Sequence, residues 1–348
     1  MALRTAAARA GGLSFALAAA CGPAGTVPLD DDRLCAGCHV AQAEDHARSA
    51  HGAAGRSAAF VALRAARPGD SAFCDGCHRP AHGSDDGMGC ASCHAAVGNT
   101  EVANGRLLVD LDGPVRGPTG DAPGAPHATV RSSFLGSSDL CGTCHEVRGP
   151  PPFREHPYTR WRASAAAAAG VGCPDCHLGL APGTPGPRGA RAVHAPVGFR
   201  TPDDAAVEAL LRAGLEVDGP WVEGDAVELT ARARIDAHAV PDGATFARRI
   251  ELVVTATLAD GRWVRWDGAD DPGLCVSSGA LVPARAGGLG RGPCAGPLEG
   301  GAVRRVRLAR PGLGVGTPGG GSVVRAVGAC VVVDDGATLR RLACGPAR

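Results

Sequence analysis

Between residues 215 and 348, apolar and polar residues alternate with a period of two, which is typical of half-buried β-strands. Two runs show it best: Val227, Leu229, Ala231, Ala233 and Ile235, then Ile250, Leu252, Val254, Ala256 and Leu258. Further strands are predicted at 302–309 and 322–333, with a turn at Ala259-Asp-Gly261. Because strands separated by turn residues pair antiparallel, this part of the chain is predicted to form a small antiparallel β-sandwich.

A helix is predicted immediately before these strands. Thr201-Pro-Asp-Asp204 combines a hydroxyl N-cap, a proline at the first helical position and acidic residues in the first turn. The helix is expected to run to Ala213 and to stop at Gly214. Residues 201–348 are therefore predicted to be a linker helix followed by a β-sandwich domain.

Residues 33–200 show neither the period-two pattern of strands nor the helical pattern of apolar residues over any long stretch. Short helices are expected at 40–65 and 157–169, and the Pro/Gly-rich stretches 113–126 and 181–189 are expected to be loops. Large apolar side chains are sparse here, and aromatic residues make up only 3% of the chain. Such a segment could hardly bury a sufficient core from its own side chains. The expected fold class is mixed, with a loop-rich, short-helix domain before the sandwich.

One five-residue pattern, C-x-x-C-H, occurs five times in this segment. Its cysteines are Cys35, Cys38, Cys74, Cys77, Cys90, Cys93, Cys141, Cys144, Cys173 and Cys176, and its histidines are His39, His78, His94, His145 and His177. Two thiols at this spacing can form thioethers to the two vinyl groups of one haem, and the following His can bind its iron. The pattern predicts five covalently bound haem c groups, whose porphyrins would supply the missing apolar surface.

Zinc is the alternative, because paired C-x-x-C knuckles also build tetrahedral thiolate sites. Five is an odd number of knuckles, and a His follows every one of them. Both observations favour haem over zinc or disulfides.

The first twenty residues are predicted to be a signal peptide. Arg4 and Arg9 precede an apolar run, 13–20, that is too short to span a bilayer. Small residues before Cys21 resemble a lipoprotein cleavage site, and ordinary cleavage near Ala20 is the alternative. Residues 21–32 are expected to be a tether. Either cleavage exports the chain, to the periplasm or to the cell envelope as a lipoprotein.

Cysteine usage fits export. Of 15 cysteines, ten lie in the motifs, and Cys21 would take the lipid. The other four are predicted to form the disulfides Cys275–Cys294 and Cys330–Cys344, because the second pair flanks an apparent hairpin. Formal net charge is zero, so bulk electrostatics indicate no nucleic-acid partner.

The second axial position of each iron has seven candidate histidines outside the motifs. They are His46, His51, His82, His127, His156, His194 and His238. Met1 aside, Met88 is the only methionine, so at most one haem could have the His/Met ligation that raises the reduction potential. Low-potential bis-His ligation is expected.

The motifs resemble those of the exported multihaem cytochromes related to the tetrahaem acceptor of hydroxylamine oxidoreductase. The first motif and the stretch ending at Ser49-Ala-His51 are similar to that family's C-x-x-C-H…W-x-x-S-x-H, with His46 in place of the usual Trp. The second motif, with Arg79-Pro-Ala-His82, resembles a shortened C-H-G-P-G-x-x-H. The resemblance implies that His51 and His82 are distal ligands.

The resemblance continues over most of residues 33–260. Thr159-Arg-Trp161 before the fifth motif resembles T-x-x-W with one residue fewer between Thr and Trp, and Ala237-His238-Ala-Val-Pro241-Asp-Gly243 resembles the G-H-x-x-P-T-G that opens a β-hairpin in larger members. Positions implied to be ligands also include His127 and His194. Coordination by His238 would also explain why a β-sandwich follows a haem array.

The resulting hypothesis is a pentahaem cytochrome that transfers electrons between redox partner proteins, either other cytochromes or a membrane quinol-oxidising complex. The alternative is an oxidoreductase acting on a small nitrogen or sulfur compound at one five-coordinate haem. All five motifs end in His rather than Lys, and Tyr158 is the only tyrosine. These features favour an electron-transfer protein over an enzyme. A scaffold role for the β-sandwich is compatible with either function.

Overall fold

A computed structural model describes most of the chain. The described residues are 29, 31–81, 87–118, 120, 122, 124–150, 152–178, 194–201, 203–223, 226–243, 245–279, 289, 292–309, 324–334, 339–342 and 344. The predicted signal peptide, Cys21 and His82 lie outside them.

Residues 29–201, here called the motif region, contain all five motifs, four of them on short helices and the first across the end of one helix and the turn that follows it. Its helices are α1 (Asp32–Ala36), α2 (Val40–Arg48), α3 (Ala58–Ala66), α4 (Ser71–His78), α5 (Cys90–His94), α6 (Ser138–Cys144), α7 (Pro157–Arg162), α8 (Ala165–Ala168) and α9 (Cys173–His177). Its strands are β1 (Ala96–Asn99), β2 (Leu107–Val109), β3 (Val115–Gly117), β4 (Thr129–Arg131), β5 (Val147–Arg148) and β6 (Arg154–Glu155). Consecutive strands pair in twos, β3 with β4 in parallel and the others antiparallel.

The motif region has little apolar core of its own, as its composition predicts. Within its described residues, one buried cluster consists of Leu29, Ala91 and Ala95. The helices are instead joined by loops and by hydrogen bonds between side chains and backbone. Something other than packed aliphatic side chains must therefore hold this region together.

Residues 203–344, here called the sheet region, begin with a helix and continue as antiparallel strands. They are α10 (Asp204–Gly214), β7 (Leu215–Glu223), β8 (Ala226–Ala233), β9 (Arg249–Leu258), β10 (Trp263–Trp266), β11 (Cys275–Ser278), β12 (Val303–Ala309), β13 (Val324–Asp334) and β14 (Leu339–Leu342). One sheet has the order β12-β8-β7. The other has the order β10-β9-β13-β14, and β11 also pairs with β9.

The two sheets enclose one apolar core. Alternate residues of each strand point inward, so Leu229 of β8, Leu252 of β9 and Val331 of β13 are all almost completely buried in it. Val207 of α10 closes the same core. The strands predicted at 227–235, 250–258, 302–309 and 322–333 are thus confirmed as β8, β9, β12 and β13, with Ile235 lying beyond the end of β8. Burial of one face requires the period of two.

The second face of β9 is also covered, which alternation did not predict. Arg249 and Glu251 are buried there as an ion pair of 2.5 Å, and the backbone N–H of Gly268 donates to Glu251. Val253, on the same face, packs with Leu289. A buried charge needs a partner, and Arg249 provides it.

The predicted start of the linker helix was wrong by two residues. Asp203, not Thr201, is the N-cap of α10: its carboxylate accepts from the backbone N–H groups of Ala205 and Ala206. The Thr201 hydroxyl is used by the preceding turn, where it accepts from Gly198 N–H at 2.8 Å. An aspartate two residues closer to the helix therefore takes the capping position.

Both predicted disulfides are confirmed, since Cys275 is bonded to Cys294 and Cys330 to Cys344. The second joins the β13–β14 hairpin, as predicted. Overall the fold is mixed, with short helices and mainly antiparallel sheets. The exact division into domains near residue 200 stays a prediction. Among the described residues, no helix is long and apolar enough to cross a membrane.

A core substitution tests the shared core of the two sheets. Leu252→Ala removes a side chain that is 1% exposed, and we expect it to lower the free energy of unfolding by about 2–5 kcal/mol. Leu339→Ala, on a side chain that is 38% exposed, is the control and should change it by less than about 0.5 kcal/mol. Urea unfolding followed by tryptophan fluorescence measures both. Equal losses would contradict the arrangement.

Candidate functional site

Four of the C-x-x-C-H motifs fold as one turn of helix, and the first continues from the end of α1 into a turn that keeps the same hydrogen bond between the His N–H and the first Cys carbonyl. The two cysteines are three residues apart and the histidine follows the first cysteine by four, so all three side chains leave the helix on one side. In the first motif, for example, the His39 N–H donates to the Cys35 carbonyl at 2.9 Å. This local geometry is what attachment of one porphyrin requires.

Hydrogen bonds join the motif helices in pairs. The Asp32 carboxylate, in the first motif's helix, accepts from the Cys90 N–H at 2.7 Å and so caps α5 from outside. The Ser138 hydroxyl in α6 accepts from the Cys173 N–H at 3.0 Å and does the same for α9. The first motif is thereby fixed to the third, and the fourth to the fifth.

Four motif histidines lie opposite a histidine from elsewhere in the chain. The pairs and their ring-centroid distances are His39–His127 at 6.3 Å, His51–His145 at 6.1 Å, His94–His194 at 6.2 Å and His177–His238 at 6.2 Å. Four of the five non-motif histidines predicted as ligands are thus brought to a motif histidine.

The distance within these pairs is nearly constant while the angle between the rings is not. Interplanar angles range from 12° for His94–His194 to 44° for His51–His145. Ring stacking would fix the angle as well as the distance. Two imidazoles bound to opposite sides of one metal ion, with metal–nitrogen bonds of about 2.0–2.1 Å, have centroids about 6 Å apart and can rotate about those bonds. The pairs fit bis-His coordination of an iron between them.

Hydrogen bonds select the nitrogen that would bind iron. The Nδ1 atoms of His78, His94, His177 and His238 lie 2.7–2.8 Å from backbone carbonyl oxygens. A carbonyl can only accept, so each Nδ1 carries the proton and Nε2 keeps the lone pair. Such a bond also fixes the orientation of a ligating ring.

Burial keeps both imidazoles of the His51–His145 pair neutral. It lowers the pKa of His145 to about 3 and that of His51 to about 4. A neutral imidazole offers a lone pair to a metal at physiological pH, whereas an imidazolium does not.

The apolar surface beside the motifs also fits porphyrins. Exposed large apolar side chains occur immediately before or after motif residues, at Leu34, Val40 and Phe73. A porphyrin attached to the adjacent cysteines would cover such side chains. None of the ten motif cysteines forms a disulfide, while the four C-terminal ones do. The residues present fit five haem c groups.

Zinc is a poor fit by comparison. A structural zinc site needs four convergent ligands. Within the described ranges, no group of three or more Cys, His, Asp or Glu side chains converges as a metal site of that kind.

Cysteines of different motifs lie in contact, and these contacts show which motifs are neighbours in space. Thiols hydrogen bond between Cys35 and Cys90, between Cys141 and Cys173, and between Cys77 and Cys144. Cys93 interacts electrostatically with both cysteines of the fourth motif. The fourth motif therefore neighbours the second, third and fifth, and the first motif neighbours the third.

The chain also resembles a solved structure in its overall fold. Scans against protein-family models and against curated proteins give no match. A penta-heme cytochrome c552 from Thermochromatium tepidum superposes with a TM-score of 0.60 at 20% identity, over 88% of this chain and 92% of that one. The two proteins share a fold.

His78 differs from the other motif histidines of this pentahaem-type fold. Phe60 stacks on its ring, with centroids 4.0 Å apart and an interplanar angle of 8°. No imidazole among the described residues pairs with it at the spacing of the other four. His82, the fifth predicted distal ligand, lies outside the described residues, so its role stays a prediction.

The remaining two histidines are used for hydrogen bonds. His46 Nε2 lies 2.7 Å from the Met88 carbonyl oxygen, so this nitrogen donates to it. His156 Nδ1 is 2.9 Å from the buried Glu146 carboxylate, which also accepts from the Thr159 hydroxyl and N–H. Both rings thus support the backbone around a motif.

Sequence reasoning missed Asp32, Phe60 and Glu146. Each acts through a residue that is distant in the chain, so spacing could not reveal it. One signal was present for Glu146: it follows the fourth motif directly and contacts Thr159, which belongs to the stretch that resembles the family's T-x-x-W.

A pair of histidine substitutions tests the assignment. We expect His51→Ala to convert one low-spin iron of the haem-loaded protein to high-spin, because it removes one of two axial imidazoles. His46→Ala, the neighbouring control, should leave the spin state of every iron unchanged. Low-temperature EPR separates the two spin states. The same change in both variants, or in neither, would contradict the pairing.

Proposed function

We propose that this protein is an exported pentahaem c-type cytochrome that transfers electrons along closely packed haems. The ten motif cysteines attach the haems, and the five motif histidines are proximal ligands. His51, His127, His194 and His238 are distal ligands. The single observation that carries this proposal is the constant spacing of the four imidazole pairs.

Haem c, when bound, supplies the one-electron chemistry that the side chains of this chain lack. The chain's own residues attach, orient and bury it. Bis-His ligation favours low reduction potentials, since the thioether ligand that raises them is absent from the four pairs. The fold shared with a penta-heme cytochrome supports the same number of haems.

The contacts between motifs suggest the route. Thiol contacts join motif one to three, four to five, and two to four, and Cys93 links motif three to four. The route proposed is one–three–four–five, with motif two as a side branch at motif four. Cys38 and Cys176 are the exposed motif cysteines, and they belong to the two ends of that route.

Export and partners complete the proposal. Residues 1–20 are proposed to be a signal peptide and Cys21 a lipid anchor, because thioether attachment of haem is normally an extracytoplasmic process and two disulfides need an oxidising compartment. Redox proteins, either other cytochromes or a membrane quinol-oxidising complex, are the proposed partners.

Haem content is the direct test of the proposal. Expression with the cytochrome c maturation machinery should give a protein whose mass shows five covalent haems. Replacing Cys173 and Cys176 with Ala should reduce the count to four, because one motif then has no thiols to form thioethers. Bound zinc, or fewer than five haems in the unmodified chain, would overturn the proposal.

A second candidate function is ligand binding or catalysis at the iron held by His78. The observation that favours it is the lack of an imidazole opposite His78 among the described residues. Arg248 interacts electrostatically with both His78 and His145, which puts a cation near this iron. A small anionic or neutral nitrogen or sulfur compound is the class of substrate that such a site would take.

Counting carbon monoxide bound after reduction separates the two functions. An open iron at His78 predicts one CO per protein, and His82→Ala should leave that count at one. If His82 is the sixth ligand, the unmodified protein binds none and His82→Ala binds one. The second outcome would remove the catalytic candidate and leave electron transfer.

A further inference from the structure

His238 reaches the motif region on a loop of the sheet region, residues 234–248, between β8 and β9. β8 ends at Ala233, so the strand itself does not set the position of the ring. The other three imidazole pairs lie wholly within the motif region. The His177–His238 pair is the one formed between the two regions, and its geometry depends on how the loop is held.

One contact of this loop lies two residues before His238. The Asp236 carboxylate accepts from the Ala165 N–H at 3.2 Å, and the Asp236 carbonyl accepts from the Ala166 N–H at 3.1 Å. These are the first two residues of α8, whose N-terminal N–H groups have no partner within the helix. The loop therefore satisfies the end of a helix in the motif region.

A stronger contact lies four residues after His238. Arg160 of α7 donates through Nη1 to both carboxylate oxygens of Asp242, at 3.2 and 3.0 Å. The Asp242 side chain is only 3% exposed, so its charge is stabilised mainly by this partner. Two contacts from the motif region thus bracket His238 on both sides.

Arg160 also holds the segment on which the loop rests. Its Nε lies 3.2 Å from the Glu299 carboxylate. Leu298, the residue before, pairs through its backbone with Val240, two residues after His238. One guanidinium is therefore bonded both to the loop and to the strand-like segment paired with it.

We propose that Arg160 is a positioning residue for His238. Its ion pair with Asp242 fixes the 234–248 loop on α7 and thereby sets the axial ligation of the haem attached to the fifth motif. This inference rests on the proposed function, since it concerns one haem of the proposed five. In this proposal, docking of the sheet region on the motif region is coupled to axial ligation of that haem.

Spin state is the readout, because a merely structural role would lower stability without changing one iron selectively. In the haem-loaded full chain, Arg160→Gln and Asp242→Asn should each convert up to one iron per protein from low-spin to high-spin in low-temperature EPR. Added imidazole should restore the low-spin signal, since it replaces a displaced ring. Arg162→Gln, which removes the same charge from the same helix, is the matched control and should change nothing.

Arg160→Lys provides a graded test. Lysine keeps the positive charge but cannot bond to both carboxylate oxygens and Glu299 in the same geometry. A high-spin fraction between those of the unmodified protein and Arg160→Gln is expected. Covalent haem count and tryptophan fluorescence identify any variant that has failed to fold, and Asp242→Asn then tests the other end of the ion pair.

Two results would overturn the inference, and they have different meanings. If His238→Ala creates one high-spin iron while Arg160→Gln and Asp242→Asn keep all irons as they were, Arg160 has no positioning role and the proposed function stands. If His238→Ala itself changes no spin state, His238 is not a ligand, and both the inference and that part of the proposed ligation are wrong.

Discussion

In four places the imidazole of a C-x-x-C-H motif lies 6.1–6.3 Å from an imidazole supplied by a distant part of the chain. This spacing leaves room for a metal ion between the rings and brings together segments that share few packed side chains. In the described part of the motif region, the buried apolar cluster has only three members. In the proposed function, coordination across the pairs replaces a hydrophobic core as the interaction that organises residues 29–201.

The sheet region has the opposite character. Its core joins both sheets and α10 through alternating aliphatic residues, and two disulfides close its C-terminal part. It can therefore support the loop that contacts the motif region. His238, Asp236 and Asp242 all lie on the loop between β8 and β9, so in the proposed function a stable β-structure supplies one axial ligand to a region that has little core of its own.

Local patterns predicted much of this arrangement. The strands β8 and β9 follow from the alternation at 227–235 and 250–258, and the motif spacing itself produces the helical turn that carries two thiols and an imidazole. Resemblance to a family of exported cytochromes pointed to His51, His127, His194 and His238. Each of them lies opposite a motif histidine.

What the sequence could not reveal are contacts between residues far apart in the chain. Asp32 caps α5 from a different helix, and Arg160 meets Asp242 across 82 positions. The N-cap of α10 is Asp203 rather than the predicted Thr201, because the threonine hydroxyl is hydrogen bonded within the preceding turn. Choices between two competent side chains depend on such tertiary contacts, which no local pattern contains.

Low-temperature EPR of the purified ferric protein, with spins integrated per chain, tests the central claim most directly. If four imidazole pairs each bind one iron, the low-spin signals must account for at least four irons per protein, with the fifth set by the environment of His78. High-spin signals from two or more irons in the unmodified protein would contradict the account, because at least one pair would then leave its iron five-coordinate.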